Sequence, residues 1–205
     1  MRLIRSSALA LAAFAATSPM AGFAQSPPSD MVRVRGVIDT VDPGDLQVTT
    51  NQGEKLTIKL ADDVKVTLIA PIGIDAITVG AFIGTAAVEQ PDGTLRALEI
   101  QVFPEAMRGA GEGHRPWDLG PGSTMTNGTI GDLKVADGRH LTLTYKGGEQ
   151  NVFVPEGAPI ITFEQGTREA LKPGAHLIVS AKRAADGGLS ADRVSVGKDG
   201  LVPPM

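Results

Sequence analysis

The residues able to do chemistry gather in one stretch, 104–123 (PEAMRGAGEGHRPWDLGPGS). It holds the only tryptophan, Trp117, one of three histidines, His114, and Met107, with Met125 just beyond. Thioether and imidazole together favour copper, above all Cu(I), where cysteine is missing, so Met107, His114 and Met125 form one possible metal set, with Glu112 or Asp118 nearby. Arg115, Trp117 and Asp118 form a second set, for contact with a partner protein or small ligand, because tryptophan and arginine are enriched at binding hot spots. A third reading is structural: Trp117 plugs a groove while the glycines turn the chain, since burying an indole stabilises by about 2 kcal/mol. His114, Asp118 and Ser123 can be written as a catalytic triad, yet nothing in a glycine-rich segment fixes their geometry. Gly109-x-Gly111-x-Gly113 runs into Arg115-Pro116 rather than a helix, so it is no dinucleotide fingerprint.

What must position this stretch is a phrase written twice. Asp92-Gly93-Thr94-Leu95-Arg96-Ala97-Leu98-Glu99-Ile100-Gln101-Val102 returns as Asp186-Gly187-Gly188-Leu189-Ser190-Ala191-Asp192-Arg193-Val194-Ser195-Val196, with an offset of 94 (186 minus 92). Each copy is a turn signal followed by apolar residues on alternate positions, the pattern of a strand with one buried face. Ahead of the first copy, 32–38, 46–50, 56–60, 64–69 and 81–88 read as strands separated by glycine, asparagine and aspartate turns. Ahead of the second, Gly128-Thr129-Ile130 matches Gly36-Val37-Ile38, and strands follow at 141–145, 152–154, 159–163 and 174–179. Thr167 to Lys172 reads as a helical turn stopped by Pro173-Gly174.

Five or six short strands per copy, with a brief helical insertion before the last two, predict an all-β chain. The expected fold is two tandem small five- to six-stranded OB-like barrels joined by a Gly-rich connector, closure removing the edges an open sheet would expose. The rival is a pair of packed sandwiches. The expected divisions are 1–24 signal peptide, 25–31 flexible leader, 32–103 first barrel, 104–123 connector, 124–197 second barrel and 198–205 tail.

The order G-x-I, strand, Gly turn, strand, short helix, P/V-G-A, strand, D-G-x-L-x-A-x-x-V/I-x-V resembles bacterial exported tandem β-barrel repeat proteins whose function is unassigned. The resemblance covers 32–103 and 124–197 and implies fold rather than activity. The stretch from Pro116 to Asn127 and the ending at 197–205 also resemble proteobacterial proteins sometimes labelled metal-transporter permeases, which implies at most metal-related gene company.

The N-terminus reads as an export signal: Arg2 and Arg5, an apolar run at 8–16, and Gly22 and Ala24 before a cut at Gln25. No stretch after Ala24 has the roughly 20 apolar residues of a spanning helix. Removing residues 1–24 takes away two of 19 Lys+Arg and none of 23 Asp+Glu, leaving a formal charge of −6 (17 minus 23). That sign, with few aromatics, argues against nucleic acid as a partner. Cysteine is absent, which removes disulfides and thiolate chemistry. The sequence therefore predicts a periplasmic, soluble, non-enzymatic binding or scaffolding protein with no cofactor, its partner an envelope protein or small ligand and the connector its contact surface. The alternative is a copper-type metal accessory.

Overall fold

The computed structural model describes residues 30–134 and 139–204. The expected signal peptide, most of the leader, residues 135–138 and Met205 lie outside the described residues.

The chain is all-β. Its strands are β1 (Met31–Val41), β2 (Asp45–Thr50), β3 (Lys55–Pro71), β4 (Phe82–Glu89), β5 (Leu95–Val102), β6 (Gly113–Pro116), β7 (Ser123–Lys134), β8 (His140–Tyr145), β9 (Gly148–Phe153), β10 (Ile160–Gln165), β11 (His176–Arg183) and β12 (Leu189–Gly197). The duplicated phrase folds the same way in both copies. Gly93 and Gly187 take φ of 81° and 86°, a conformation open to glycine, and each turn is closed by the preceding aspartate. Asp92 Oδ1 accepts from the Thr94 backbone N–H and Asp186 Oδ1 from that of Gly188, both at 2.9 Å. The helical insertions shrink to single 3-10 turns, Ile74–Ala76 and Arg168–Ala170.

The pairings do not follow the tandem division. β1 pairs with β2, β2 with β3, β3 in parallel with β12, β12 with β11, and β11 returns to β1. This closed five-stranded barrel takes three strands from the first repeat and two from the second. Five of the seven remaining strands pair in the same cyclic order, β7–β8–β9–β5–β4–β7, with β5 and β9 sharing only Leu95↔Val152 and Arg96↔Phe153. The division at 32–103 and 124–197 is thus crossed in both directions. The cause is the duplication itself: β12 carries the same apolar alternation as β5, so either can close on β3. The 17-residue β3 runs past the barrel, pairs with β10 from Thr67 to Pro71, and carries the chain to the other set.

Apolar burial follows these pairings. One core joins Val34, Ile38, Leu46 and Ile58 with Leu177, Val179 and Val194. A second joins Ile83, Leu95, Ala97 and Ile100 with Ile130, Leu143 and Val152. A smaller cluster between them sets Ile69 and Ile161 against Phe163, Ile178 and Leu201. Leu201 belongs to the segment expected as a tail, which is held instead by the close approach of its carbonyl to Gly197 and by the Lys198–Glu164 ion pair at 2.8 Å. The expected connector is not free either: after a 3-10 turn at Glu105–Met107 it supplies β6, which pairs with β7.

Candidate site between the two strand sets

A β-bulge in β5 creates the site. Ala86 pairs with Glu99 but Ala87 with Ala97, so Leu98 is an extra residue. Leu95 and Ala97 point into the second core; beyond the bulge Ile100 takes that direction, and Glu99 and Gln101 turn to the opposite face. Without the extra residue, strict alternation would drive a carboxyl into an apolar core. The Thr85 hydroxyl donates to the Glu99 carbonyl at 2.8 Å on the inner side of the bulge.

On the outer face two rows of side chains follow from the register. Arg115 on β6 pairs with Met125, Met125 with Ala86 and Ala86 with Glu99. Gly113, Asn127, Gly84, Gln101 and Ile161 form the next row. Gly84 leaves room there for two side chains: a Cβ would meet Asn127 Oδ1 at 2.7 Å and the Phe103 ring at 3.1 Å.

Facing this surface is the outside of the barrel. Its β1 presents Arg33 and Arg35, its β11 Ile178 and Ser180, and its β12 Arg193 and Ser195. A cavity of about 370 Å³ lies between the faces, lined by Arg33, Arg115 and Arg193 on the cationic side and by Gln101, Asn127 and Trp117 among the rest. A cavity of about 500 Å³ beside Met107 is more apolar and gathers no comparable polar set.

The insert closes this cavity. Its turn is pinned by the Trp117 N–H donating to the Ser123 carbonyl at 2.8 Å, and by the Ser123 hydroxyl donating to Trp117 O at 2.9 Å. The Arg33 guanidinium lies 3.9 Å over the indole centroid, and Arg115 lies 5.4 Å from it. Asp118 accepts two hydrogen bonds from Arg35, at 2.7 and 3.0 Å, and pairs with Arg33 at 2.9 Å. Those Arg35 bonds, with Arg33 behind them, bring the Asp118 carboxyl down to about 2. Arg115 folds back over Gly111, donating to its carbonyl at 2.8 Å, and burial together with neighbouring Arg33 lowers its pKa. Among the described residues neither Arg115 nor Arg193 has a carboxylate partner.

Among the described residues three buried side-chain polar atoms have no hydrogen-bond partner: Trp117 Nε1, Asn127 Oδ1 and Glu99 Oε2. All three residues belong to this region, where leaving such groups unpaired costs about 1–3 kcal/mol each. Glu99 is fully buried, and its other oxygen accepts from Gln101 Nε2 at 2.6 Å. Burial pushes its carboxyl up to about 7, against the pull of the Gln101 hydrogen bond and of Arg35.

The structure thus brings Arg115, Trp117 and Asp118 together, as the binding reading expected, and adds Arg33, Arg35 and Arg193. It does not bring Met107, His114 and Met125 together. Met125 is buried on the face it shares with Arg115. His114 points to the other side of β6, where its Nδ1 lies 2.8 Å from Thr126 Oγ1 and its ring stacks on Tyr145. Met107 lines the separate cavity with Phe163 and Val66. The written triad is also dispersed: Ser123 donates to backbone carbonyls, His114 turns to Thr126 and Asp118 to arginines. Three contributors escaped the reading of composition and spacing. Arg33 and Arg35 stood in plain alternation with valines, and Glu99 was signalled only by the adjacent apolar pair Ala97-Leu98.

No protein-family model, curated protein or solved structure matches this chain.

Proposed function

We propose that this chain is an exported, non-enzymatic binding protein whose ligand is a small anion held in the cavity beneath the Trp117 insert. One observation carries the reading: three arginines, Arg33, Arg115 and Arg193, line one cavity, and among the described residues the only carboxylate paired with any of them, Asp118, is shared with Arg35. A chain with excess acid overall concentrates positive charge at this point. A guanidinium donates in a planar fork that matches a carboxylate or phosphoryl group, and the unpartnered Trp117 Nε1 adds a further donor. The size suits a metabolite-scale ligand. Trp117 has Arg33 across its face, so it serves the cavity wall better than it would serve as a projecting anchor for a partner protein. Export rests on the signal-like character of residues 1–24. Nothing in the placement of Met107, His114 and Met125 favours the copper reading.

The test is the intrinsic fluorescence of Trp117, the sole indole, titrated with acetate, phosphate and sulfate at constant ionic strength. Saturable change is expected in the wild type, with at least tenfold weaker binding in Arg193→Ala. A flat response to all three anions overturns the proposal.

A further inference from the structure

The two faces of the cavity are related by the duplication, yet their chemistry is opposite. Arg33 and Arg35 of β1 stand where Met125 and Asn127 stand on β7, at an offset of 92 (125 minus 33), and Arg193 of β12 stands where Glu99 stands on β5, at the offset of 94 (193 minus 99). The barrel wall therefore offers positively charged donors at these positions. The opposite wall carries Arg115 at its β6 edge and, beneath its surface, two acceptors without a partner: Asn127 Oδ1, packed against Gly84 in a residue 5% exposed, and Glu99 Oε2 in a residue 0% exposed. Gln101 lines the cavity and donates its amide N–H to Glu99, so its own carbonyl oxygen is not engaged by that bond. A plain anion would satisfy the first wall and leave the second with acceptors that nothing answers. A ligand that also carries N–H donors would satisfy both.

We infer that the ligand is a small amino-carboxylate, its carboxylate on Arg33, Arg115 and Arg193 and its ammonium on the Gln101 oxygen, with Glu99 as the buried counter-charge. This inference rests on the anion reading above and narrows it. The apolar side of the cavity, Phe163, Ile178 and Met125, receives the aliphatic part. Glu99 acts through Gln101 and is a positioning residue. The groups around it are Arg35 from β1, Gln101 on its own strand, the uncharged Ala86, Met125 and Ile161 from β4, β7 and β10, and Arg115 at the far end of its row. Asp192 adds an exposed carboxylate to the lining, and no histidine lines the cavity.

The proton balance gives a sign that can be read. An ammonium requires ionised Glu99, so amino-carboxylate binding tightens as pH rises from 6 to 8, by about tenfold for a carboxyl that titrates near the middle of that range. A plain carboxylate adds negative charge beside Glu99 and favours its protonated form, so its binding weakens over the same interval.

The experiment is isothermal titration of the whole protein with a matched trio: leucine, 4-methylpentanoate, which lacks the amine, and 3-methylbutylamine, which lacks the carboxylate. Leucine is expected to bind at least tenfold tighter than 4-methylpentanoate at pH 8, and the amine not at all. The leucine preference and its pH slope are expected to vanish in Glu99→Gln, with 4-methylpentanoate still bound; the wild-type slope alone decides the matter if that variant does not fold. Equal binding of leucine and 4-methylpentanoate, or a leucine affinity that falls with rising pH, overturns the inference while leaving the anion reading intact. Absence of binding by both acids, and by sulfate, removes both.

Discussion

The two faces that meet at the cavity occupy matching positions of a repeated sequence pattern and differ in charge. On the barrel side the outward positions of β1 and β12 are Arg33, Arg35 and Arg193; on the other side the same positions are Met125, Asn127 and Glu99. The framework beneath them stayed alike. Gly36 and Gly128 occupy equivalent strand positions, and in each the neighbouring strand's carbonyl sits where a Cβ would go, Thr49 O at 2.2 Å and Thr144 O at 2.6 Å. What differs is therefore the surface at the cavity, while what is shared is backbone packing.

That contrast can be broken first at the framework. Gly36→Ala forces a Cβ against backbone and is expected to destabilise by about 3 kcal/mol, and Gly128→Ala, with the longer approach, by about 2 kcal/mol, both measured by urea unfolding. Equal and negligible effects would mean that the two crossings are not the conserved part of the plan.

The surface side is sharpened by pH. Glu99 is raised in the fold, so the native state holds its proton more tightly than the unfolded chain does. Its contribution is complete below the unfolded value near 4.5, falls as pH rises from there to about 7, and is gone above that. Glu99→Gln is thus expected to leave stability nearly unchanged at pH 4 and to gain about 2–3 kcal/mol over the wild type at pH 8, read from the denaturation midpoint at each pH. Arg193→Ala, the equivalent position on the other face, is expected to show no such pH-dependent difference.

Gly84→Ala comes next. Its new methyl group meets movable side chains, Asn127 and Phe103, rather than backbone, so a cost of about 1 kcal/mol is expected, accompanied by a shift of the Asn127 side-chain amide resonance. The smallest effect belongs to Asp118. Its carboxyl is lowered to about 2 chiefly by the Arg35 hydrogen bonds, so the stability it contributes is present above the unfolded value of 3.8 and lost as pH falls from there toward 2. Because its side chain is 44% exposed, solvent screening holds the loss in Asp118→Asn to about 0.5–1 kcal/mol at pH 7.

Much of the fold was legible where local rules decide it. The Asp-Gly turns at 92–93 and 186–187 closed as their residue types dictate, and the alternating runs became strands. Partner choice was not legible, because a duplicated strand docks equally well on either copy's partner and only the three-dimensional path of β3 decides between them. Part of the site was visible too. Trp117, Arg115 and Asp118 stood out by residue type, whereas Arg33 and Arg35 were lost in a plain alternation with valines. Glu99 was hidden by the bulge: read as a simple alternating strand, 95–102 puts it on the buried face with Leu95 and Ala97, and only the displaced pair Ala97-Leu98 reveals the reversal. The methionines and His114 were close in sequence but not in space, since neighbouring residues of a β-ladder face opposite ways and Met107 lies beyond a turn.

The most direct test follows the single indole N–H of Trp117 by nitrogen–proton NMR as leucine is added at pH 8 and constant ionic strength. The account predicts one resonance that moves saturably, with the movement lost in Arg193→Ala and retained in His114→Ala. A resonance that stays in place, or that moves equally in the Arg193 variant, would contradict it.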